Sequence, residues 1–442
     1  MNIELPSEVA YIINTLEECG YEAYAVGGCV RDSLLGTPPK DWDICTAAVP
    51  EQTMKCFSGQ RIVETGLKHG TITLVLDQKP FEITTYRTES GYSDNRRPDE
   101  VEFVKDLKED LARRDFTINA MAFSPSKGVA DYFGGKSDIR QGVLKCVGDA
   151  SKRFEEDALR IMRALRFAAV LGFSIEAGTA EAMLENRGRL KNISAERIAA
   201  ELSKLVAGKG AGTVMMEHMP VIAEIIPELS PAIGFEQNSP FHCYDVLTHI
   251  MKSVDNIRPD VHLRLAMLFH DIGKPARYTE RDGIGHFYGH PQLSADIAKD
   301  VLTRLKYDNN TINVVTQLIL YHDADVLLKR KHVKRWLNRI GEERLRQLIE
   351  VKRADAAAQS ERYYKGKTAI MDAALQTMDE IIRQRECFAL KDLAVNGRDL
   401  IEAGVPEGAL IGATLSRLMD MVIDEAAPNE KSVLLEIARG LN

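Results

Sequence analysis

The chain has 442 residues, of which 45% are apolar and 28% are charged. At roughly 100–200 residues per domain this length predicts two to four domains, and the composition excludes a disordered chain, a collagen-like repeat and a disulfide-stabilised miniprotein. The formal net charge of −8 argues against a protein that coats nucleic acid over its whole surface, but it is compatible with a local basic groove.

The first twenty residues contain no basic segment followed by an apolar core, so they predict no secretory signal. Their apolar residues fall at helical spacing and predict an amphipathic helix through Val9, Ile12, Ile13 and Leu16. No run reaches the ~18 apolar residues that a membrane helix needs. The seven cysteines are scattered and form no CxxC pair, which is typical of thiols in a reducing compartment. We therefore expect a cytoplasmic protein without membrane spans.

Residues 1–150 are predicted to mix strands and helices. Short β-rich runs bounded by Gly, Pro, Asp and Asn cover residues 24–26, 42–45, 70–76, 81–86 and 101–104. From about residue 151 the apolar residues recur at three- and four-residue spacing, which predicts helices. Turn-rich segments at 236–240 and 281–291 are candidate boundaries or loops. The fold class predicted is α+β, with an α/β head followed by helical segments.

The first candidate site combines GGCVRD (27–32) with KDWDI (40–44). Two glycines after a strand allow a phosphate to approach the backbone, and the following helix start offers free N–H groups. If 42–45 belongs to a strand, Asp41 and Asp43 point to the same face while Trp42 and Ile44 turn into the core. Paired carboxylates suit Mg²⁺. The alternative is a polar turn with two solvated acids.

Two further segments add charged residues to the head. Glu82 begins EITTYR (82–87) on a predicted strand and is either a third acid near the metal or an acid at the rim. Arg113 and Arg114 in LARRDFTINA (111–120) can donate paired hydrogen bonds to a triphosphate. The alternative for these arginines is a charged helix cap.

A third candidate site is a stripe of residues spaced three apart on a predicted helix: Asp157, Arg160, Arg163 and Arg166. An aspartate can accept from the exocyclic amine of cytosine or adenine, and an arginine can donate to the ring acceptors. Uracil and guanine present the opposite pattern, so a neighbouring Asp and Arg would accept C and A and reject U and G. The alternative is a solvated salt-bridge ladder.

These motifs, with EEDALRIMRALRFAAVLGF and SAERIAAELSKL, resemble in order and spacing the bacterial class II tRNA nucleotidyltransferases, the CCA-adding enzymes, which are relatives of bacterial poly(A) polymerases. The resemblance covers about residues 20–230, and LAVNGRDLIEAGVPEGALIGATL near the C-terminus resembles the family's tail. It implies a polymerase-β-like nucleotidyltransferase head at 1–150 and a helical neck with a base-selecting helix at 151–235. It also implies an HD-type helical body at 236–360 and a helical, tRNA-binding tail at 361–442.

The resemblance also implies the site residues and the reaction. Asp41 and Asp43 match the catalytic pair that holds two Mg²⁺ ions. The matches to nucleotide-binding positions are Gly28, Arg31, Arg114, Asp157, Arg160, Arg163 and Arg166. The implied partners are tRNA, CTP and ATP. The implied reaction is template-independent addition and repair of the 3′-terminal CCA, in which the tRNA 3′-hydroxyl attacks the α-phosphate and pyrophosphate leaves. A CC-only enzyme, an A-only enzyme and a poly(A) polymerase of the same family are the alternatives.

A polar, turn-rich segment at 87–99 lies between two predicted strands. The resemblance implies that a loop here acts in the change from CTP to ATP and that CC-only members have a shortened one. The loop looks full length, and Arg87, Arg96 and Arg97 could reach the selecting side chains or the phosphates. We therefore expect complete CCA synthesis, against the alternative of an inert hairpin tip.

The segment LRLAMLFHDIGKP (263–275) resembles the HD superfamily of metal-dependent phosphohydrolases. Histidines and an aspartate on successive helices can form a mixed nitrogen and oxygen site for a divalent transition metal. The candidate ligands are His249, His270, Asp271 and Asp323, with His286, His290 and His322 in the same region. A metal-free histidine network and a phosphohydrolase that merely binds nucleotide in its head are the alternatives.

The densest basic run is KRKHVKRW (329–336), which is a candidate for contacts with tRNA phosphates. The alternative is a solvated helix face. The sequence does not predict an oligomeric state.

Overall fold

The computed structural model describes residues 3–90, 100–240, 242–325 and 329–441; the side chains of Thr65, Ser90 and residues 361–365 are outside this description. The chain divides into two compact units, Met1–Pro227 and Glu228–Asn442. Among the described helices, none combines the length and the apolar character that crossing a membrane requires.

The first unit contains a seven-stranded mixed sheet. The strands of this unit are β1 (Ala23–Val26), β2 (Ile44–Thr46), β3 (Arg61–Gly66), β4 (Thr71–Leu76), β5 (Lys79–Thr85), β6 (Arg87–Ser90), β7 (Glu100–Phe103), β8 (Met121–Ser124), β9 (Gly128–Asp131), β10 (Val143–Leu144) and β11 (Ser174–Ile175). The sheet order is β3-β4-β5-β2-β1-β8-β9, and only β2 and β5 are parallel neighbours. Strands β6 and β7 form a separate antiparallel hairpin, and β10 pairs with β11.

The sheet has an apolar cluster on each face because successive side chains of a strand point to opposite sides. Ala23 and Ala25 of β1 belong to one cluster, whereas Tyr24 and Val26 belong to the other. Burial on both faces explains why β1 reads as a continuous apolar run and was predicted from the sequence.

Helices make up most of the remainder of the first unit. They are α1 (Ser7–Glu18), α2 (Gly28–Leu34), α3 (Pro50–Cys56), α4 (Leu107–Ala112), α5 (Gly135–Gln141), α6 (Ala150–Glu156), α7 (Leu159–Leu171), α8 (Ala177–Asn186), α9 (Ala195–Val206), α10 (Ala211–Glu217) and α11 (Met219–Ile225). The four apolar residues of the predicted first helix are fully buried in α1. The predicted change to helical structure near residue 151 matches the start of α6.

The second unit is helical apart from a short hairpin. Its elements are α12 (Val246–Asn256), α13 (Val261–Phe269), β12 (Thr279–Arg281), β13 (Ile284–His286), α14 (His290–Arg304), α15 (Asn309–Tyr321), α16 (Arg330–Ala357), α17 (Glu361–Arg383), α18 (Gly397–Glu402), α19 (Ala409–Ile423) and α20 (Lys431–Gly440). Aspartates cap three of these helices: Asp245 accepts a backbone N–H at the start of α12, Asp260 at α13 and Asp308 at α15. Helix α16 is kinked at Gly341, where φ is +78°.

The last part of this unit has a core of its own, which runs from Cys387 to Ala438 and includes Leu400 and Leu418. The α/β head followed by helices confirms the predicted α+β class.

Candidate active site

Asp41 and Asp43 lie in the segment that leads into β2, so the prediction that they belong to the strand is wrong. Side chains of this segment nevertheless alternate between solvent and the apolar core, as expected. Both aspartates are exposed, Trp42 packs partly against an apolar cluster, and Ile44 is buried in that cluster. The backbone explains this, because Val26 N–H of β1 donates to the Asp43 carbonyl at 2.9 Å and so extends the ladder beyond β2.

Four carboxylates line a cavity of about 650 Å³ beside this segment: Glu8, Asp41, Asp43 and Glu82. Ile44 of β2 pairs with Ile83 of β5 in parallel register, so the preceding residues Asp43 and Glu82 lie at the same end of the two strands. Although Asp43 is open to the cavity, surrounding protein atoms displace enough water to raise its pKa. Arg114 opposes the rise, and Asp41 adds to it.

Asp43 also lines a second cavity, which has a volume of about 470 Å³. Every residue predicted to bind nucleotide lines it: Gly28, Arg31, Arg114, Asp157, Arg160, Arg163 and Arg166. These residues come from the β1–α2 junction, the end of α4 and the α6–α7 region, which are far apart in the sequence. Asp43 therefore lines both a cavity with several carboxylates and a cavity with several arginines.

The glycine pair sets the shape of this second cavity. Gly27 has φ +82°, which favours glycine, and a Cβ atom there would lie 2.8 Å from Arg114 Nη1. Arg31 on α2 donates to Asn119 Oδ1 at 2.6 Å and pairs with Asp32 at 2.7 Å. A larger residue at position 27 would therefore displace an arginine from the cavity wall.

Asp157 does not lie on the helix that carries the arginines, so this part of the predicted stripe is wrong. It sits between α6 and α7, where its Oδ1 accepts from Leu159 N–H at 3.0 Å and its Oδ2 pairs with Arg197 at 3.0 Å. A short carboxylate competes for backbone donors and so favours a helix start over a helix interior. The stripe becomes a capping aspartate followed by three arginines.

Each arginine of α7 is held by a different partner. Arg160 pairs with Glu156 at 2.7 Å, Arg163 with Asp115 at 2.5 Å and Arg166 with Glu201 at 2.9 Å. Only the first of these pairs joins neighbouring turns, and none of the three arginine side chains is more than 33% exposed. This arrangement does not fit a solvated ladder along one helix.

Several residues of the second cavity were not predicted as site residues: Asp115, Asn119, Phe167 and Arg197. Burial would raise the pKa of Asp115, but the Arg163 guanidinium and the Asn119 amide outweigh it and lower this pKa to about 2. The Phe167 ring lies under Arg166, with 4.1 Å between guanidinium carbon and ring centroid. These residues stand inside the quoted motifs, but no spacing rule singled them out.

The base of the predicted loop is the β6–β7 hairpin, and the rest of it, including Arg96 and Arg97, falls outside the described residues. Arg87 pairs with Glu89 at 2.9 Å, and Glu89 pairs with Arg113 at 2.8 Å. Arg113 lines the second cavity. One ion pair therefore connects the hairpin base to the cavity wall.

In the second unit, three of the four predicted metal ligands come together and the fourth does not. His249, His270 and Asp271 are buried and lie in one cluster with Asp355 of α16. Asp323 is exposed and is not part of that cluster, so its prediction as a ligand is corrected. Asp355 lies 84 positions after Asp271 without a surrounding motif, and only its place on α16 brings it to the cluster.

Asp271 belongs to a second cluster as well, with His290 and His322. Both clusters border a cavity of about 320 Å³. Burial lowers the pKa of a histidine, yet the Asp271 carboxylate outweighs burial at His270 and raises its pKa to about 10. The arrangement is a group of imidazoles and carboxylates withdrawn from bulk water.

Three basic residues of the run at 329–336 are ion-paired within the second unit. Arg330 and Lys334 pair with Glu386, and Arg335 pairs with Asp424 at 2.6 Å. Contact of this run with tRNA phosphates stays a prediction.

Known families and proteins are similar to this chain along nearly its whole length. The family described as Poly A polymerase head domain matches residues 23–145, the one described as a probable RNA and SrmB-binding site of polymerase A matches 172–233, and tRNA nucleotidyltransferase domain 2 matches 283–438. The CCA-adding enzyme of Lactiplantibacillus plantarum is 34% identical over 99% of this chain and 97% of its own. That of Leuconostoc mesenteroides is 50% identical over 45% of this chain and 49% of its own.

Solved structures of CCA-adding enzymes are also similar to this chain. The Bacillus stearothermophilus CCA-adding enzyme in complex with CTP is 29% identical, with a TM-score of 0.69 over 98% of this chain and 97% of its own. The Thermotoga maritima CCA-adding enzyme complexed with tRNA is 21% identical and shares the fold, with a TM-score of 0.63 over 99% of this chain and 97% of its own.

Proposed function

The chain belongs to the CCA-adding enzyme family, and we propose from that premise that it adds and repairs the 3′-terminal CCA of tRNA. It is a tRNA nucleotidyltransferase that uses CTP and ATP without a nucleic-acid template and releases pyrophosphate. The observation that carries this proposal is the second cavity, in which an arginine-rich wall, a glycine turn and the capping Asp157 face the carboxylate of Asp43.

For the metal, we propose two Mg²⁺ ions held by Asp41 and Asp43. The two carboxylates are exposed and close in sequence; both line the first cavity, and Asp43 also lines the second. Hard oxygen donors with free positions for water and phosphate suit Mg²⁺. When bound, the ions neutralise charge on the triphosphate and make the 3′-hydroxyl a better nucleophile. Glu82 lies at the same end of the sheet and is proposed to fix the position of this pair.

The nucleotide is proposed to lie in the second cavity with its phosphates toward the glycine turn. Arg31 and Arg114 donate to the triphosphate, and Gly28 allows it to approach the backbone. The 3′-hydroxyl oxygen of the tRNA attacks the α-phosphorus, and the bond to the bridging oxygen of pyrophosphate breaks. The hydroxyl proton passes to solvent, so no general base from the protein is required.

Base selection is proposed to depend on Asp157 and Arg160. Asp157 is oriented by Arg197, and Arg160 is oriented by Glu156 and by the Arg113 carbonyl at 3.0 Å. A fixed acceptor beside a fixed donor matches the edges of cytosine and adenine and leaves unpaired groups against uracil and guanine. Arg163 and Arg166 support this wall through their own ion pairs.

We also propose a cytoplasmic location and the four-part division into head (1–150), neck (151–235), body (236–360) and tail (361–442). The location is supported by seven cysteines that are all free. The tail is supported by the separate apolar core that begins at Cys387.

The test is incubation of the purified protein with tRNA transcripts that end before CCA, before CA or before A, with CTP and ATP separately and together. Complete CCA with both nucleotides supports the proposal. Products that end at CC identify a CC-only enzyme, activity only on CC-ended tRNA identifies an A-only enzyme, and long A tails identify a poly(A) polymerase. Phosphate release without incorporation would identify a hydrolase.

A further inference from the structure

We propose that Phe167 is a positioning residue for the incoming nucleotide, whose ring holds three arginines of the second cavity close together before the triphosphate arrives. The three are Arg31, Arg163 and Arg166. This inference rests on the proposed function, because it assigns a role to one wall of the cavity in which the nucleotide is proposed to lie. It adds an aromatic residue to a wall described so far by its charges.

The Phe167 ring lies where the three guanidinium groups meet. The guanidinium carbon of Arg166 lies 4.1 Å from the ring centroid, that of Arg31 5.1 Å and that of Arg163 5.4 Å. These distances are within the ~6 Å at which the negative face of an aromatic ring attracts a cation. Arg163 stands one turn before Phe167 on α7, whereas Arg31 belongs to α2. One ring therefore contacts charges from two elements that are distant in sequence.

Three like charges this close to one ring repel one another. Each has an acid of its own: Arg31 pairs with Asp32, Arg163 with Asp115 and Arg166 with Glu201. Burial lowers the pKa of Arg166, and Glu201 opposes this change. The charges of Arg163 and Arg31 lower this pKa further, so the acids do not remove the repulsion. A ring face beside the three groups offsets part of it.

An aromatic ring suits this position better than a fourth acid would. The N–H donors of Arg31 already reach Asp32 through Nε at 2.9 Å and Asn119 through Nη1 at 2.6 Å. A guanidinium has five N–H donors, and attraction to a ring does not occupy them in the way that a carboxylate does. The ring also adds no negative charge, so the wall keeps its attraction for a triphosphate.

The ring is itself held in place. Phe167 is 8% exposed, and the Phe116 ring meets it edge-on, with 5.8 Å between the centroids and 82° between the planes. Phe116 is fully buried and directly follows Asp115, which pairs with Arg163. The segment that supplies an acid to Arg163 thus also fixes the ring that this arginine contacts.

The experiment replaces Phe167 alone by phenylalanines that carry one, two or three fluorine atoms. Fluorine withdraws electron density from the ring face with little change of shape, so the attraction for cations falls stepwise while the packing is kept. Dissociation constants of CTP and ATP are measured by equilibrium dialysis with Mg²⁺ and without tRNA, and KM and kcat are measured with tRNA. We expect the dissociation constants and KM of both nucleotides to rise together, by roughly 2- to 30-fold over the series, with kcat little changed.

The choice of base should stay as it is in the wild type. Asp157 and Arg160 are oriented by their own ion pairs, so the ratio of kcat/KM for CTP over UTP should be constant along the series. A ratio that falls with fluorination would make Phe167 part of base selection and overturn its assignment to the triphosphate wall.

Phe57 is the matched control, since it is buried, meets the Tyr11 ring edge-on at 6.3 Å and lines neither cavity of the first unit. Three fluorine atoms at Phe57 should leave both affinities unchanged. Phe167→Tyr keeps a ring face and should retain most of the affinity, whereas Phe167→Leu should bind both nucleotides at least as weakly as the trifluorinated protein. If Phe167→Leu does not fold, the fluorinated series still decides the matter.

Affinities that stay constant along the fluorinated series, or a folded Phe167→Leu with wild-type affinity, would overturn the inference, because the ring would then serve packing alone. Such a protein would still add CCA, so the proposed function would stand. A wild-type protein that neither binds nor incorporates CTP would overturn the proposed function and this inference with it.

Discussion

Among the residues that the structure describes, Asp43 is the one that lines both the 650 Å³ and the 470 Å³ cavity, and its substitution gives the most direct test of the head. We expect Asp43→Asn to abolish incorporation of both CMP and AMP, because the same metal pair serves both nucleotides. Loss of a metal ligand removes several kcal/mol of transition-state stabilisation, or on the order of 1,000-fold in rate. Single-turnover assays measure this loss, and a filter-binding assay should find tRNA affinity unchanged.

Asp77→Asn is the matched control for this substitution, since Asp77 is exposed in the turn between β4 and β5 and borders neither cavity. It should keep full activity. Comparable turnover by Asp43→Asn and the control would exclude the assignment of Asp43 as a metal ligand.

Asp157 has two roles that one substitution can separate. Asp157→Asn keeps an oxygen that can cap α7 but places an N–H donor where the carboxylate accepts from a base amine. We therefore expect a folded protein in which UTP competes with CTP, with discrimination reduced by about 1–3 kcal/mol, or roughly 5- to 150-fold. Competition assays with labelled CTP and ATP measure the ratio.

Asp149→Asn controls for the cap, because Asp149 caps α6 in the same way and lies outside the nucleotide cavity. Its discrimination should equal that of the wild type. An unchanged ratio in Asp157→Asn would mean that Asp157 serves only the helix.

The Asp115–Arg163 pair predicts a pH dependence of stability. Since the pKa of Asp115 is lowered from 3.8 to about 2, the pair stabilises the folded state above pH ~4, and this contribution is lost as the pH falls through about 2. Asp115→Asn should therefore lower the free energy of unfolding by about 2 kcal/mol at pH 7. Denaturant titrations should find the same difference at pH 7 and pH 5 and a smaller one at pH 3. A difference that is constant over this range would exclude the ion pair as its cause.

At the scale of single residues, sequence reasoning identified candidate site residues that lie inside short motifs, such as Asp41, Asp43 and the arginines of α7. It missed residues that distant elements bring to the same place. Asp355 reaches the histidine cluster only through the path of α16, and Arg197 reaches Asp157 from α9. Neither contact is encoded by local spacing, because each depends on how two helices pack.

At the scale of elements, the β6–β7 hairpin is connected to the wall of the second cavity through the ion pair of Glu89 and Arg113. We expect deletion of residues 91–98 to leave CC addition intact and to prevent addition of the final A, since the pocket must change its preference while Asp157 and Arg160 stay the same. A denaturing gel of products from tRNA lacking CCA should stop at CC.

The control for this deletion is a tRNA that already ends in CC, supplied with ATP alone, which separates loss of A addition from slow overall synthesis. Addition of A to that tRNA by the shortened protein would contradict a role of the loop in the change of nucleotide.

Elements differ in how far the sequence determines them. The burial pattern of α1 and the apolar run of β1 are local, and both were predicted. Strand β2 is three residues long and begins after Asp43. Alternation of side chains therefore predicted which residues point to solvent, but it did not predict where the strand starts. Helices α6 and α7 are separate because the Asp157 side chain accepts the Leu159 backbone N–H instead of continuing the helix. Helical spacing alone does not reveal this break.

At the scale of the whole molecule, the two units keep their chemistry apart. The 470 Å³ cavity is lined only by residues of Met1–Pro227, and the histidine cluster lies wholly within Glu228–Asn442. Each unit also has apolar clusters of its own, such as the two faces of the head sheet and the core around Leu400. Changes to the histidine cluster should therefore reach nucleotide addition only by unfolding the second unit.

The matching prediction uses the double variant His270→Ala/Asp271→Ala. We expect CCA synthesis at the wild-type rate, because neither side chain borders the cavities of the head. The double variant leaves the buried Lys274 ammonium without the Asp271 carboxylate 2.6 Å from it, so a loss of stability is expected and folding is checked first. The rates of CMP and AMP addition are measured beside circular dichroism and tRNA binding, and Asp41→Asn, expected to be inactive, serves as the reference for loss. A double variant that folds and binds tRNA but no longer adds nucleotides would show that the two sites are coupled.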